Sequence, residues 1–295
     1  MYARWLLLAL RTFFAALGAV SPRTAGRLAL RVFSTPRRHH RPAWERQAAE
    51  RGARLRVGSN LAAHAWGVGP VVLLAHGWEG RGTQLACFVD PLVAAGFRVV
   101  AVDSPAHGDS SGTRTDLIEC TEALRKVARA LGPLAGVVAH SFGGAVTTLA
   151  LERGLDARSV VLIAMPSSIE DVVRRFGALI GLRGHALRAF RDGMERQTGV
   201  QMKDVEIFER VAGLTVPALI VHDRGDREVP FHDAERLSDR WPGATLVATD
   251  GLGHRRILKD EEVIRRAVSF IAQATPKVES SLTPMLGDLT QDRST

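Results

Sequence analysis

The sequence predicts an α/β protein: a mostly parallel, doubly wound sheet with an inserted helical lid. Three observations carry that prediction. From residue 54 onward, short apolar runs alternate with helical patterns at the spacing of βαβ units. One run, Gly136-Val137-Val138, leads into Ala139-His140-Ser141-Phe142-Gly143-Gly144-Ala145 and then the unbroken apolar stretch Val146 to Leu151, a strand, a sharp turn and a helix. The alternation stops over residues 167–212, which hold helix-like stretches broken by glycine, and resumes at Pro217.

Taken in order, Trp5 to Val20 is apolar but interrupted by Arg11. A spanning helix needs about 20 predominantly apolar residues, and a central Arg costs about 2.5–3.5 kcal/mol on insertion scales. Residues 1–56 carry twelve Arg and no Lys, with Glu45 and Glu50 the only acids, so this segment is +10 while the whole chain is +8. An apolar helix among so many arginines fits two placements equally: flat on an anionic membrane through residues 1–41, or docked on the domain itself. A signal peptide is disfavoured by Arg11 inside the apolar run.

Leu55 to Val57, Ala62 to Trp66 and Val71 to Ala75 read as strands, the last ending at His76-Gly77-Trp78. Thr83 to Ala95 reads as a helix stopped by Gly96, and Arg98 to Val102 as the next strand. Asp116 to Leu131 is helical and closes at Gly132-Pro133; Ser159 to Ala164 is a strand. After the lid come a strand ending at Val221, a last strand from Ala244 to Ala248, and a last helix from Ile257 to Gln273. The expected divisions are an N-terminal helical arm over 1–53, a domain over 54–275 with its lid at 167–212, and a disordered polar tail over 276–295.

Composition excludes several classes. Two cysteines, Cys87 and Cys120, are too few for a disulfide framework and suit a reducing, cytoplasmic setting. The ten histidines show no zinc spacing, so no metal is expected. The basic charge belongs to the arm, without a nucleic-acid recognition motif, so no nucleic acid is expected as partner. Gly80-Arg81-Gly82 lacks the lysine and spacing of a phosphate loop.

A serine hydroxyl becomes a nucleophile only when a base takes its proton, and the base needs an orienting acid. A serine on a strained strand-to-helix turn demands small residues two before and two after; Ala139 and Gly143 meet that need, with alanine in place of the usual first glycine. Downstream, the loop after Val221 carries Asp223 and Asp226, and the loop after Ala248 carries His254. Both fall at carboxyl ends of parallel strands, where such sheets place their ligands.

These residues resemble the α/β-hydrolase superfamily over about residues 55–274. The likeness rests on His76-Gly77-Trp78, Asp103-Ser104-Pro105-Ala106-His107-Gly108, His140-Ser141-Phe142-Gly143-Gly144, Asp226 before Val229-Pro230, and Gly253-His254. It implies Ser141 as nucleophile, His254 as base and Asp226 as the orienting acid, with Asp223 as the alternative. It places the oxyanion hole at the backbone N–H groups of Phe142 and Trp78. The Trp78 indole either walls the acyl pocket or merely covers the sheet edge. Asp103 to Gly108 is a structural turn in this family, and His140 a packed neighbour. The implied activity is hydrolysis of a carboxylic ester, thioester or amide of a small acyl substrate through an acyl-enzyme, without cofactor. Two other classes share the scaffold: an acyltransferase using the same serine, and a non-catalytic binding protein.

Overall fold

Val71–Ala75 and Leu134–His140 lie side by side in the middle of one sheet, and every residue of both is buried. Such runs are apolar throughout because a central parallel strand has helices on both of its faces. The computed structural model describes residues 2–276; the predicted tail, from 277 on, lies outside the described residues.

Three helices precede the sheet: α1 (Tyr2–Val20), α2 (Pro22–Phe33) and α3 (Ala43–Arg51). The strands are β1 (Ala53–Val57), β2 (Leu61–Trp66), β3 (Val71–Ala75), β4 (Arg98–Val102), β5 (Leu134–His140), β6 (Val160–Ile163), β7 (Ala218–Asp223) and β8 (Thr245–Thr249). They are ordered β1-β2-β4-β3-β5-β6-β7-β8, with β2 antiparallel to both its neighbours and the rest parallel. The sheet's helices are α4 (Val89–Ala94), α5 (Leu117–Leu131) and α6 (Phe142–Glu152). The lid holds α7 (Ile169–Ile180), α8 (Gly184–Thr198) and the short α9 (Ile207–Arg210). Then come α10 (His232–Arg240), the single turn α11 (Gly253–Arg256) and α12 (Glu261–Ala274).

The alternation of side chains along a strand divides the core in two. Val71, Leu73 and Ala75 join one cluster with α5, α6, the lid and the arm residues Phe14, Ala25 and Ala29. Val72 and Leu74 join the other, with α4 and α12. The arm therefore shares a core with the lid.

Small residues make that packing possible. A Cβ on Gly26 of α2 would stand 2.7 Å from the Phe190 backbone nitrogen of α8, so only glycine lets the two helices approach this closely. The segment that follows is held by polar contacts. Arg81 and Glu45, both buried, form an ion pair at 2.5 Å, and the same carboxylate accepts from the Thr83 hydroxyl. Arg38 donates to the carbonyls of Ala106, Ser110 and Gly112.

Two predicted elements differ and one helix was not predicted. The helix expected over Thr83–Ala95 is a 3₁₀ stretch, Gly82–Phe88, followed by α4. Pro91 has no N–H to give, and α4 begins at Val89, which puts the proline in a first turn where that donor is not needed. The last helix begins at Glu261 rather than Ile257, because the Asp260 carboxylate caps it by accepting from the Val263 N–H. Helix α10 was not expected from the sequence; its apolar side is only Ala234 and Leu237 among charged residues.

Candidate active site

The turn between β5 and α6 puts Ser141 at φ +51°, in the left-handed region. That conformation costs about 1–3 kcal/mol and persists only when its surroundings enforce it. They do so here: the Ser141 N–H donates to Ile163 O of β6, and Gly144 N–H closes the turn onto Ser141 O. A Cβ on Gly143 would sit 2.4 Å from Ala75 O, so α6 can start this close to β3 only with glycine there. Ala139 is fully buried in the place where glycine is usual. Three other non-glycine residues with positive φ, Glu79, Ala106 and Ala164, also follow strand ends on this edge of the sheet.

The loops after β7 and β8 bring Asp226 onto His254. His254 Nδ1 lies 2.7 Å from Asp226 Oδ2, and the Glu228 and Val229 N–H groups donate to Asp226 Oδ1. His222 Nε2 approaches the same carboxylate at 3.4 Å. Burial opposes ionisation of Asp226, yet the hydrogen bonds from His222, His254 and Val229 hold its carboxyl well below the ordinary range. Asp223 is spent otherwise: it accepts from the N–H groups of Gly225 and Leu252 and from the Thr249 hydroxyl. It ties the two loops together and has no bond to His254.

His140 links the serine to the histidine. Its Nε2 is 2.9 Å from His254 O, and the two rings lie 4.7 Å apart. Since a carbonyl only accepts, Nε2 of His140 carries a proton. Burial, reinforced by the neighbouring His254, pushes His140 down to about 3. His76 and His107 are likewise pushed down to about 4, chiefly by burial. His76 Nε2 accepts from the Ser104 N–H, and His107 Nε2 accepts from the Glu79 N–H. The stretch Asp103 to Gly108 is a structural turn, with Asp103 accepting from the N–H groups of Gly82 and Asp109.

The loop after β3 closes the other side. A Cβ on Gly77 would be 3.3 Å from Ser141 Cβ, which puts Trp78 beside Ser141. Neither the Trp78 nor the Phe142 N–H has a partner among the described residues. The indole lies edge-on to the Phe142 ring at 5.2 Å and is stacked on Phe33 of α2 at 6.2 Å. Phe33 in turn touches Phe176 and Phe190 of the lid, at 4.8 and 5.5 Å. Arg37 braces the next residue, Glu79, through Nε and Nη2, both at 2.8 Å.

The expected Ser141, Phe142, Trp78, Asp226 and His254 thus meet at one edge of the sheet. Sequence reasoning missed His222, Phe33 and Arg37. His222 carried a signal, being four residues before Asp226 at a strand end; the other two are far away in sequence and carried none. Among the described residues, no three His, Cys, Asp or Glu side chains are placed to hold a metal.

Comparison with known proteins identifies the family and the fold. A model of the alpha/beta hydrolase family matches residues 71–266. The pimeloyl-[acyl-carrier protein] methyl ester esterase of Xanthomonas campestris is 28% identical over 253 residues, covering 71% of this chain and 98% of that protein. The magnesium-chelatase 30 kDa subunit of Rhodobacter capsulatus is 26% identical, covering 63% and 81%. Among solved structures, a monoacylglycerol lipase of Paleococcus ferrophilus has a TM-score of 0.59 at 21% identity, covering 73% of this chain and 99% of that chain. A membrane phospholipase A has a TM-score of 0.60 at 20% identity and covers 92% of this chain and 99% of its own, a share reached only if the likeness extends into the N-terminal helices.

Proposed function

The chain belongs to the alpha/beta hydrolase family and is an enzyme of that fold, and on that premise we propose that it is a serine hydrolase acting on a carboxylic ester through an acyl-enzyme. The observation that carries this reading is the pairing of Asp226 with His254 at 2.7 Å, with the His254 loop joined through His140 to the strained turn bearing Ser141. Asp226 keeps the His254 proton on Nδ1 and leaves Nε2 free to take the one on Ser141 Oγ. The serine oxygen then attacks the acyl carbonyl. The N–H groups of Phe142 and Trp78 donate hydrogen bonds to the developing oxyanion, and His254 returns the proton to the departing alcohol. Water, activated by the same histidine, releases the acid and restores Ser141.

The acyl group would lie against Trp78 and Phe142, on the serine's own side. A cleft of about 580 Å³ beside the two loops is lined by His254, Glu228, Arg227, Arg255 and Arg256, but not by Ser141, so we do not assign the acyl group to it. The relative named for a methyl ester supports an ester rather than an amide. Labelling by a fluorophosphonate probe and turnover of short-chain aryl esters test the reading. Both should vanish in Ser141→Ala while the fold persists; turnover surviving in that variant would end it.

A further inference from the structure

We propose that α1 is a docking surface for an anionic lipid bilayer, lying flat on the membrane and seated on the lid. The motivating observation is an unpartnered apolar face. Leu10, Phe14 and Leu17 turn inward, with Phe14 fully buried in the core shared with the lid. On the other side Trp5, Leu6, Leu8, Phe13 and Val20 are exposed, at 67, 74, 54, 51 and 86%. At 100° per residue these five, with Ala9, Thr12, Ala16 and Ala19 among them, occupy about half of the helix circumference. The only other strongly exposed large apolar side chains among the described residues are the scattered Val32, Val68 and Leu179.

Charge identifies the occupant. Arg11 borders the apolar face, and α2 exposes Arg23, Arg27 and Arg31 at intervals of four, away from the Ala25, Gly26 and Ala29 side packed on the lid. No acid occurs before Glu45, and none of these four arginines has an ion-pair partner among the described residues. A second copy on the same face would bring these like charges together, whereas an anionic headgroup layer neutralises them. No described helix is long and apolar enough to cross a membrane, which leaves α1 in the plane of the interface.

The helix cannot dock without the lid. A Cβ on Gly181, at the end of α7, would stand 2.5 Å from Arg11 O, and one on Gly18 would meet Ala186 of α8 at 3.1 Å. On a bilayer α1 would therefore lie between the lipid and the lid.

Co-sedimentation of the full chain with vesicles tests the proposal. The chain should pellet with phosphatidylcholine vesicles containing phosphatidylglycerol at low salt, and be released at about 1 M salt, where the screening length falls to about 3 Å. Leu6→Glu with Phe13→Glu, or Arg23→Glu with Arg27→Glu and Arg31→Glu, should lower the bound-to-free ratio at least about tenfold. A measurement on the unaltered face covers misfolding of these variants: brominated lipids should quench the wild-type fluorescence more than that of Trp5→Phe. Equal binding to phosphatidylcholine alone, or no binding to either vesicle, overturns the proposal. Concentration-dependent self-association without vesicle binding also overturns it and assigns the face to a second copy.

Discussion

Phe33, the last residue of α2, stacks on Trp78 with ring centroids 6.2 Å apart and planes 17° apart. Forty-five positions of sequence separate Phe33 from Trp78, and the aromatic contact closes that gap. Arg37 and Arg81 strengthen the junction, the first by its two bonds to Glu79 and the second by its buried pair with Glu45. The arm thus supports the loop that carries Trp78.

Phe33→Ala should lower kcat/KM for a short-chain ester by about 10- to 100-fold, the range expected when a reacting group is misplaced by up to about 1 Å. KM should change less than kcat, because the lost support acts on the oxyanion N–H and not on acyl contacts. Activity within twofold of wild type would show that Trp78 holds its place unaided.

Glu45→Ala leaves Arg81 charged and buried without its partner, a change that costs about 3–5 kcal/mol. The denaturant midpoint should fall accordingly. By the same argument, removing residues 1–51 should leave a chain that aggregates. A soluble, active truncated chain would mean that the arm is dispensable.

The two aspartates should separate cleanly. Asp226→Asn should reduce kcat by up to about 10⁴, as expected when the histidine tautomer is no longer held, with little change in melting temperature. Asp223→Asn should act mainly on stability, since its carboxylate accepts from Gly225, Leu252 and Thr249 across both loops. Esterase kinetics and thermal melts on the two variants decide between them; the reverse pattern would move the acid to Asp223.

Gly143→Ala should abolish activity and lower stability together, because the added methyl meets Ala75 O at 2.4 Å and His76 O at 2.6 Å. Backbone on one side and a helix start on the other leave no room to yield. An active, stable alanine variant would show that the elbow can shift.

Stability should fall with acid over a definite window. His76 and His107 are pushed down to about 4 and His140 to about 3 in the folded chain, against about 6.5 when unfolded. Above 6.5 all three are neutral in both states and contribute no slope. Between 6.5 and about 4 the unfolded chain binds more protons, so stability drops as pH falls, by up to about 1.4 kcal/mol per pH unit for each histidine. Urea midpoints at pH 7 and pH 5 measure this. A midpoint unchanged between them would mean that the histidines are not buried and neutral.

What the sequence determined by itself was local. Strand identity from β1 to β8, the break that makes the lid, and the Ser141, Asp226 and His254 loops all follow from apolar periodicity and turn chemistry within a few residues. That information survives in one dimension because a buried parallel strand must be apolar and a sharp turn must be small. The tertiary structure decided which group faces which. Asp223 and Asp226 differ by one turn of loop, and only the Thr249 and Leu252 contacts from the neighbouring loop show that Asp223 is already occupied. It also decided the place of the arm. Apolar residues mixed with arginines are equally suited to lipid and to protein, so pattern could not choose. Packing answers for the inner side of α1. Phe14 is buried in a core that exists only once α7 and α8 are in place, while Trp5, Leu6 and Phe13 on the opposite side are exposed among the described residues.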